Sequence, residues 1–274
     1  MAYKRILTIQ DISCVGQCSI TVAMPILSAC GHETCILPTA LLSTHTGGFG
    51  KPYVAHFDDA LEGMWRHWQE NGITFDAVLV GYLGSVKAVE TARQIMDTLL
   101  APGGVSIVDP AFADHGKRYS GLTEEYVHAM AALCRQSHII LPNVTEAAVF
   151  SGLPYREDLT GEYTDRLLTA LNHPCAVLTG TGYSPEMTGV TLREGGKTYL
   201  YTHPKVGKNC HGTGDMFAAA FAGAMLQGRT KEEAVRIAAD FVCSAIRKTV
   251  EDPVHWYGVK FEQALPELIR RLQE

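Results

Sequence analysis

Along almost the whole chain, short apolar runs alternate with longer stretches in which apolar residues recur at helical spacing. Positions 5–9, 33–38, 77–80, 105–108, 138–141 and 175–179 are too short for helices, rich in Ile, Leu and Val, and without the alternation of a sheet that faces water. They read as strands buried on both faces. Helices are expected over 19–30, 57–71, 86–100, 123–136, 144–151 and 164–171. In 57–71 the apolar residues fall at 57, 60, 61, 64, 65 and 68, and Gly72 ends the pattern. Segments 188–193 and 197–203 read as a hairpin turned by Gly195-Gly196, and helices over 215–227, 231–248 and 261–272 follow. The alternation predicts an α/β fold with a mostly parallel sheet covered by helices on both sides.

Length and composition narrow the picture. The 274 residues show no linker, repeat or low-complexity stretch, so a single domain over 1–274 is expected. A hydrophobic fraction of 46% supports a large core, and a net charge of -6 argues against nucleic acid or an anionic membrane as partner. The start of the chain lacks a secretory h-region, and no apolar run is long enough to span a bilayer, so a cytoplasmic protein is expected. Eight cysteines fall without the paired spacing of a zinc site; Cys30, His32 and Cys35 are the best metal grouping and a poor one.

In a sheet of this kind ligands sit beyond the carboxyl ends of the strands, and the chemistry-bearing residues collect there. They are Asp11 and Ser13 after the first strand, Gly81-Tyr82-Leu83-Gly84-Ser85 after the third, and Asp109 with Asp114 after the fourth. Pro142-Asn143 with Glu146, and then Thr179-Gly180, follow the fifth and sixth. Near the end stands His211-Gly212-Thr213-Gly214-Asp215, leading into an apolar helix. A Gly-x-Gly turn into a helix leaves amides facing an anion, and the carboxylate beside it suits a base that deprotonates an attacking hydroxyl. A first-turn Asp also stabilises a helix with no function, and Asn143 with Glu146 has the spacing of a capping box. The glycine-rich stretch 43–48, which contains Thr46, reads as a flap or an exposed loop.

Taken in order, Gly81-Tyr82-Leu83-Gly84-Ser85, Val108-Asp109-Pro110 running on to Asp114 and Tyr119, Leu141-Pro142-Asn143 with Glu146, and Gly212-Thr213-Gly214-Asp215 resemble the ribokinase-like kinases, in particular the pyridoxal (vitamin B6) kinase branch. The resemblance covers nearly the whole chain. It implies a three-layer α/β sandwich and transfer of the ATP γ-phosphoryl group to the 5'-hydroxymethyl of pyridoxal, pyridoxine or pyridoxamine. Asp215 would be the base and Gly212, Thr213 and Gly214 the anion hole. Asp11, Ser13, Thr46 and Tyr82 would bind the vitamin, and Asp109, Asp114, Tyr119, Asn143, Glu146, Thr179 and Gly180 would line the nucleotide. Asp109 and Glu146 would stand nearest Mg²⁺. A monovalent cation such as K⁺ and a homodimer are also implied, although no residue identifies either.

The chain departs from the branch in places. Asp11 follows Gln10 where relatives have Gln-Ser, and the segment after Pro110 reads Ala-Phe-Ala. His211 before the glycine turn, with Asp11 and Ser13 in a loop that contains Gly16, leans toward the hydroxymethylpyrimidine kinases of thiamin synthesis, which usually carry Cys where this chain has Asp215. A sugar kinase fits Tyr82 less well, and a ligand-binding homologue without catalysis fits Asp215 less well. Lys208 and Cys210, beside the glycine turn, are candidates for reversible addition to an aldehyde substrate.

Overall fold

The computed structural model describes residues 3–207 and 210–274. One nine-stranded sheet runs through it. In chain order the strands are β1 (Arg5–Ser13), β2 (Glu33–Leu42), β3 (Val54–His56), β4 (Phe75–Val80), β5 (Leu100–Val108), β6 (Ala113–Asp114), β7 (Lys117–Arg118), β8 (Ile139–Ile140), β9 (Cys175–Thr179), β10 (Met187–Glu194) and β11 (Lys197–Pro204). The helices are α1 (Ile20–Ala29), α2 (Asp58–Glu70), α3 (Val86–Thr98), α4 (Glu124–Gln136), α5 (Val144–Ser151), α6 (Gly161–Leu171), α7 (Thr213–Leu226), α8 (Lys231–Val250) and α9 (Leu265–Gln273).

The main sheet has the order β11-β10-β9-β8-β5-β4-β1-β2-β3, while β6 and β7 form a separate small hairpin. The six strands from β9 to β2 are parallel; β3 at one edge and the β10-β11 hairpin at the other are antiparallel. Strand order reverses at β1, with β2 on one side and β4 on the other. The crevice between the ends of β1 and β4 is therefore the topological switch point, where open α/β sheets bind ligands.

Neighbouring residues of a strand serve opposite layers. Ile6, Leu79, Ile107 and Val177 pack with α1, α7, α8 and α9, whereas Leu7, Val80, Val108 and Leu178 pack with the layer of α2 to α6. This double coverage explains the unbroken apolar runs of the central strands. Helix α7 is apolar on every side because it lies between α1 and α8, with Met216 to Ala224 buried. Its Ala- and Gly-rich middle permits that approach: a Cβ on Gly223 would lie 2.4 Å from the Cys30 sulfur. Cys30 and His32, considered above as a metal grouping, both engage α7 here, His32 through Nε2 at 3.0 Å from the Gly223 carbonyl oxygen.

Several boundaries differ from the sequence reading, each for a local reason. Strand β1 continues through a bulge to Ser13, so Asp11 and Ser13 belong to the strand and not to the loop after it. Helix α7 begins at Thr213, two residues before the expected start, because Gly212 supplies a left-handed N-cap at φ 81°. Pro266 near its first turn restarts the last helix at Leu265, after a short 3₁₀ turn. Strand β3 and the β6-β7 hairpin were not expected; each is only two or three residues long. Among the described residues, no helix is long and apolar enough to cross a membrane.

Candidate active site

The carboxyl ends of β1, β4, β5, β8 and β9 open on the same side as the N-terminus of α7. Gly212 makes the turn that brings α7 there. A Cβ at this position would stand 2.3 Å from the Gln17 carbonyl oxygen, so only glycine passes the β1-α1 connection so closely. The first helical hydrogen bond runs from the Met216 amide to the Gly212 carbonyl at 3.0 Å. The amides of Thr213, Gly214 and Asp215 thus have no partner within the helix and present the positive end of α7 to the crevice.

Asp215 is the third helical residue and half-buried. Its Oδ2 accepts the Ser19 backbone N–H at 2.9 Å, so the side chain is held between the N-termini of α7 and α1. Burial pushes its pKa up to about 6, opposed by the Ser19 hydrogen bond and reinforced by the Asp11 carboxylate. At neutral pH it is mostly ionised and still a usable proton acceptor.

Asp11, only 3% exposed, accepts the Ser13 hydroxyl at 3.2 Å on Oδ2. Burial raises its pKa, while hydrogen bonds from Ser19 and Ser13 pull the other way. Its charge is felt by both Asp215 and Tyr82, whose phenol is pushed up by burial and then by Asp11. Asp11 is also tied to the residue after β4, its amide donating to the Tyr82 carbonyl at 3.2 Å. Thr46 is exposed on the loop between β2 and β3. That loop is packed down: the His45 amide donates to the Val15 carbonyl at 2.7 Å, and the His45 and His211 rings lie 4.8 Å apart. Phe49 reaches Trp256 and Tyr257 at 4.6 and 5.2 Å. A cavity of about 270 Å³ opens beside Ser13, lined also by Cys14, Gln17, Tyr257 and Phe261.

On the other side of α7, a Cβ on Gly214 would lie 3.7 Å from Asp109 Oδ2. The Asp109 carboxyl is pushed well above the ordinary range by burial and by the Glu146 and Asp215 carboxylates. Glu146 is 1% exposed and fully engaged: Oε1 accepts the amides of Phe112 at 2.9 Å and Ala113 at 3.4 Å, and Oε2 accepts that of Asn143 at 3.0 Å. Asn143 completes a capping box on α5 and donates Nδ2 to the Ala113 carbonyl at 2.7 Å. Thr145 Oγ1 accepts the Gly116 amide at 3.0 Å. The β6-β7 hairpin is thereby stapled to the N-terminus of α5. Expected with Asp109 nearest a metal, Glu146 accepts these three amides, which also makes it a clamp on the loop after β5.

Asp114 lies exposed on that hairpin, and Tyr119 beyond it is 41% exposed. The Tyr119 phenol is raised by burial and by Glu146, Asp114, Asp109 and Asp215 in turn. Thr179 joins the group through its amide on the Pro142 carbonyl at 3.0 Å and its bridge to Asn143, and Gly180 follows it exposed. The crevice thus runs from Tyr82 through Asp11, Asp215 and Asp109 to Asn143 and Thr179. Sequence reasoning missed Ser19, Thr145, Trp256 and the pairing of His45 with His211, although His211 itself stood in the motif before the glycine turn. Cys210 lies half-buried before the turn, and Lys208 is outside the described residues.

The phosphomethylpyrimidine kinase family model matches residues 53–256. The chain belongs to that family. This kinase is 30% identical to the pyridoxal kinase from Lactobacillus plantarum, with a TM-score of 0.90 and 98% of each chain covered. It is 29% identical to a Bacteroides thetaiotaomicron protein, named as a candidate phosphomethylpyrimidine kinase and crystallised with pyridoxal, with a TM-score of 0.91 over 97% of this chain and 96% of that one. It is also 28% identical, over 90% of its own length, to a thiamine biosynthesis multifunctional protein from Corynebacterium efficiens, of which it spans 33%. The fold of the kinase is the ribokinase-like sandwich.

Proposed function

We propose that this kinase transfers the γ-phosphoryl group of ATP to the 5'-hydroxymethyl group of pyridoxal, pyridoxine and pyridoxamine. The observation that carries the reading is Asp215: a half-buried carboxylate titrating at about 6, set in the first turn of a helix whose leading amides are open. A vitamin ring lying on Tyr82, with Asp11 and Ser13 along its edge and Thr46 over it, brings its hydroxymethyl to Asp215. The alcohol proton passes to the free oxygen of Asp215, the alcohol oxygen attacks the γ-phosphorus, and ADP departs with the electron pair of the broken P–O bond. The amides of Thr213 and Gly214 face the charge that develops on the transferred group.

Asp109 is the residue that suits a hard dication. Its carboxyl is crowded by like charges that a cation relieves, and among the described residues no three His, Cys, Asp or Glu side chains form a group able to hold a metal. That donor set fits Mg²⁺, which takes one or two carboxylates and completes its shell with phosphate and water. When bound, Mg²⁺ neutralises charge on the β- and γ-phosphates. Glu146 and Asn143 hold the hairpin that carries Asp114 and leads to Tyr119 along the nucleotide, with Thr179 and Gly180 on its far side. The cytoplasmic homodimer implied by the resemblance belongs to the same proposal.

The likeness to a thiamine biosynthesis protein supports a second reading, phosphorylation of hydroxymethylpyrimidine. A coupled ADP-release assay across the three B6 vitamers and hydroxymethylpyrimidine separates the two. The proposal expects the highest kcat/KM with a vitamer. ADP release with hydroxymethylpyrimidine alone replaces it by the second reading, and no release with any of the four leaves a binding protein.

A further inference from the structure

The stretch 43–50 between β2 and β3 is rich in glycine, yet it is docked, and His45 is its anchor. The His45 amide donates to the Val15 carbonyl at 2.7 Å, and its ring Nδ1 accepts the Gly47 amide at 3.0 Å. With Nδ1 as acceptor the ring is neutral and carries its proton on Nε2. Two glycines let the segments come this close. A Cβ on Gly16 would stand 2.4 Å from the His45 Cβ, and one on Gly47 would stand 2.7 Å from His211 Nε2. The His45 and His211 rings lie 4.8 Å apart between centroids, tilted by 45°. His45 thus bonds back to the amide two residues on, and Thr46 is the residue enclosed. Asn and Asp side chains make the same closure in Asx turns. Here an imidazole makes it, packed against the residue that leads into the glycine turn of α7.

We propose that His45 is a positioning residue for the vitamin: through the Gly47 amide it fixes the backbone of Thr46, and so sets the Thr46 side chain over the bound ring. The inference rests on the reading of Thr46 as a vitamin contact given above. It accounts for two observations that a loose polar loop leaves unexplained, the side chain bonded back to its own backbone and the two glycines at which a Cβ would collide.

The test separates the acceptor from the ring. His45→Phe keeps an aromatic ring beside His211 but has no acceptor, whereas His45→Asn loses the ring and offers Oδ1 to the amide two residues on. Hydrogen exchange of the Gly47 amide in the ligand-free protein is measured by NMR, beside equilibrium binding of pyridoxine and steady-state kinetics. His45→Phe is expected to speed that exchange and to weaken pyridoxine about fivefold in both affinity and KM, as for loss of one neutral hydrogen bond, with kcat and the KM for ATP near wild type. His45→Ala, which removes both groups, is expected to match it, so that overcrowding by Phe is told apart from loss of the acceptor. His45→Asn is expected to stay within about twofold of wild type. The losses in His45→Phe and Thr46→Ala should not add in the double variant, because one acts through the other. Equal losses in the Asn and Phe variants, wild-type pyridoxine affinity in His45→Phe and His45→Ala, or additive losses in the double overturn the proposal. Exchange and binding are read without turnover, so this failure is distinct from failure of the kinase reading, which would appear as absence of ADP with every vitamer.

Discussion

Replacement of Glu146 by Ala separates a clamp from a metal ligand. The wild-type carboxylate makes two good amide bonds, at 2.9 and 3.0 Å, and a longer one at 3.4 Å. Bonds of this charge-assisted kind contribute about 2 kcal/mol each, and the long one about 1, so about 5 kcal/mol in all. That sum is an upper bound on the loss in Glu146→Ala, because burial of the carboxylate opposes it: even with the three amides pulling it down, its pKa stands at about 7 against an ordinary 4.5. The sign of the pH dependence follows from the raised pKa: the folded protein holds this proton more tightly than the unfolded chain. The contribution of Glu146 is therefore full below about 4.5 and declines as pH rises through about 7. Urea unfolding of wild type and variant at pH 5 and pH 8 should show the difference larger at pH 5 by about 2 to 3 kcal/mol. With the hairpin loosened, the KM for ATP should rise while that for pyridoxine holds. Equal stability at both pH values, together with an altered Mg²⁺ requirement, would show that Glu146 is a metal ligand and that the clamp argument is wrong.

Two further outcomes follow from the packing and the charges. With Asp215 titrating at about 6, its ionised fraction drops about tenfold between pH 7 and pH 5, so kcat/KM for the vitamer should fall about tenfold over that interval; a flat profile there removes Asp215 as the group that must be ionised. Gly223→Ala puts a methyl 2.4 Å from the Cys30 sulfur and should destabilise the protein by about 1 to 3 kcal/mol in urea unfolding. Cys30→Gly in the same chain, which removes both the sulfur and the Cβ that would stand at 2.7 Å, should restore part of the loss, and no recovery would mean that the crowding lies elsewhere.

Much of this architecture was legible in the residues themselves. The central strands of a parallel sheet buried on both faces stand out as apolar runs, and the polar residues that follow them mark the mouth of the crevice. Strand β3 and the β6-β7 hairpin were not legible, because so few residues carry no periodicity. The start of α7 was misplaced because a left-handed glycine cap depends on what passes beside it, here the carbonyl of Gln17 from the other end of the chain. Spacing alone left Glu146 open between capping and metal binding, and its bonds to the amides of Phe112 and Ala113, more than thirty residues away, could not be read from it. Ser19 was invisible for a similar reason, since an N-cap serine looks the same in sequence whether or not its hydroxyl caps. Asp215 was legible as a carboxylate beside a glycine turn, and its tether to Ser19 was not.

Single-turnover formation of ADP by Asp215→Asn, measured beside equilibrium binding of ATP and pyridoxine, bears most directly on the central claim. Asparagine keeps the shape of the side chain and an oxygen for the Ser19 amide but cannot take a proton at neutral pH. The account predicts that ADP formation slows by about 10² to 10⁴-fold while both ligands bind within about threefold of wild type. Turnover close to the wild-type rate in a variant that binds both ligands would contradict it.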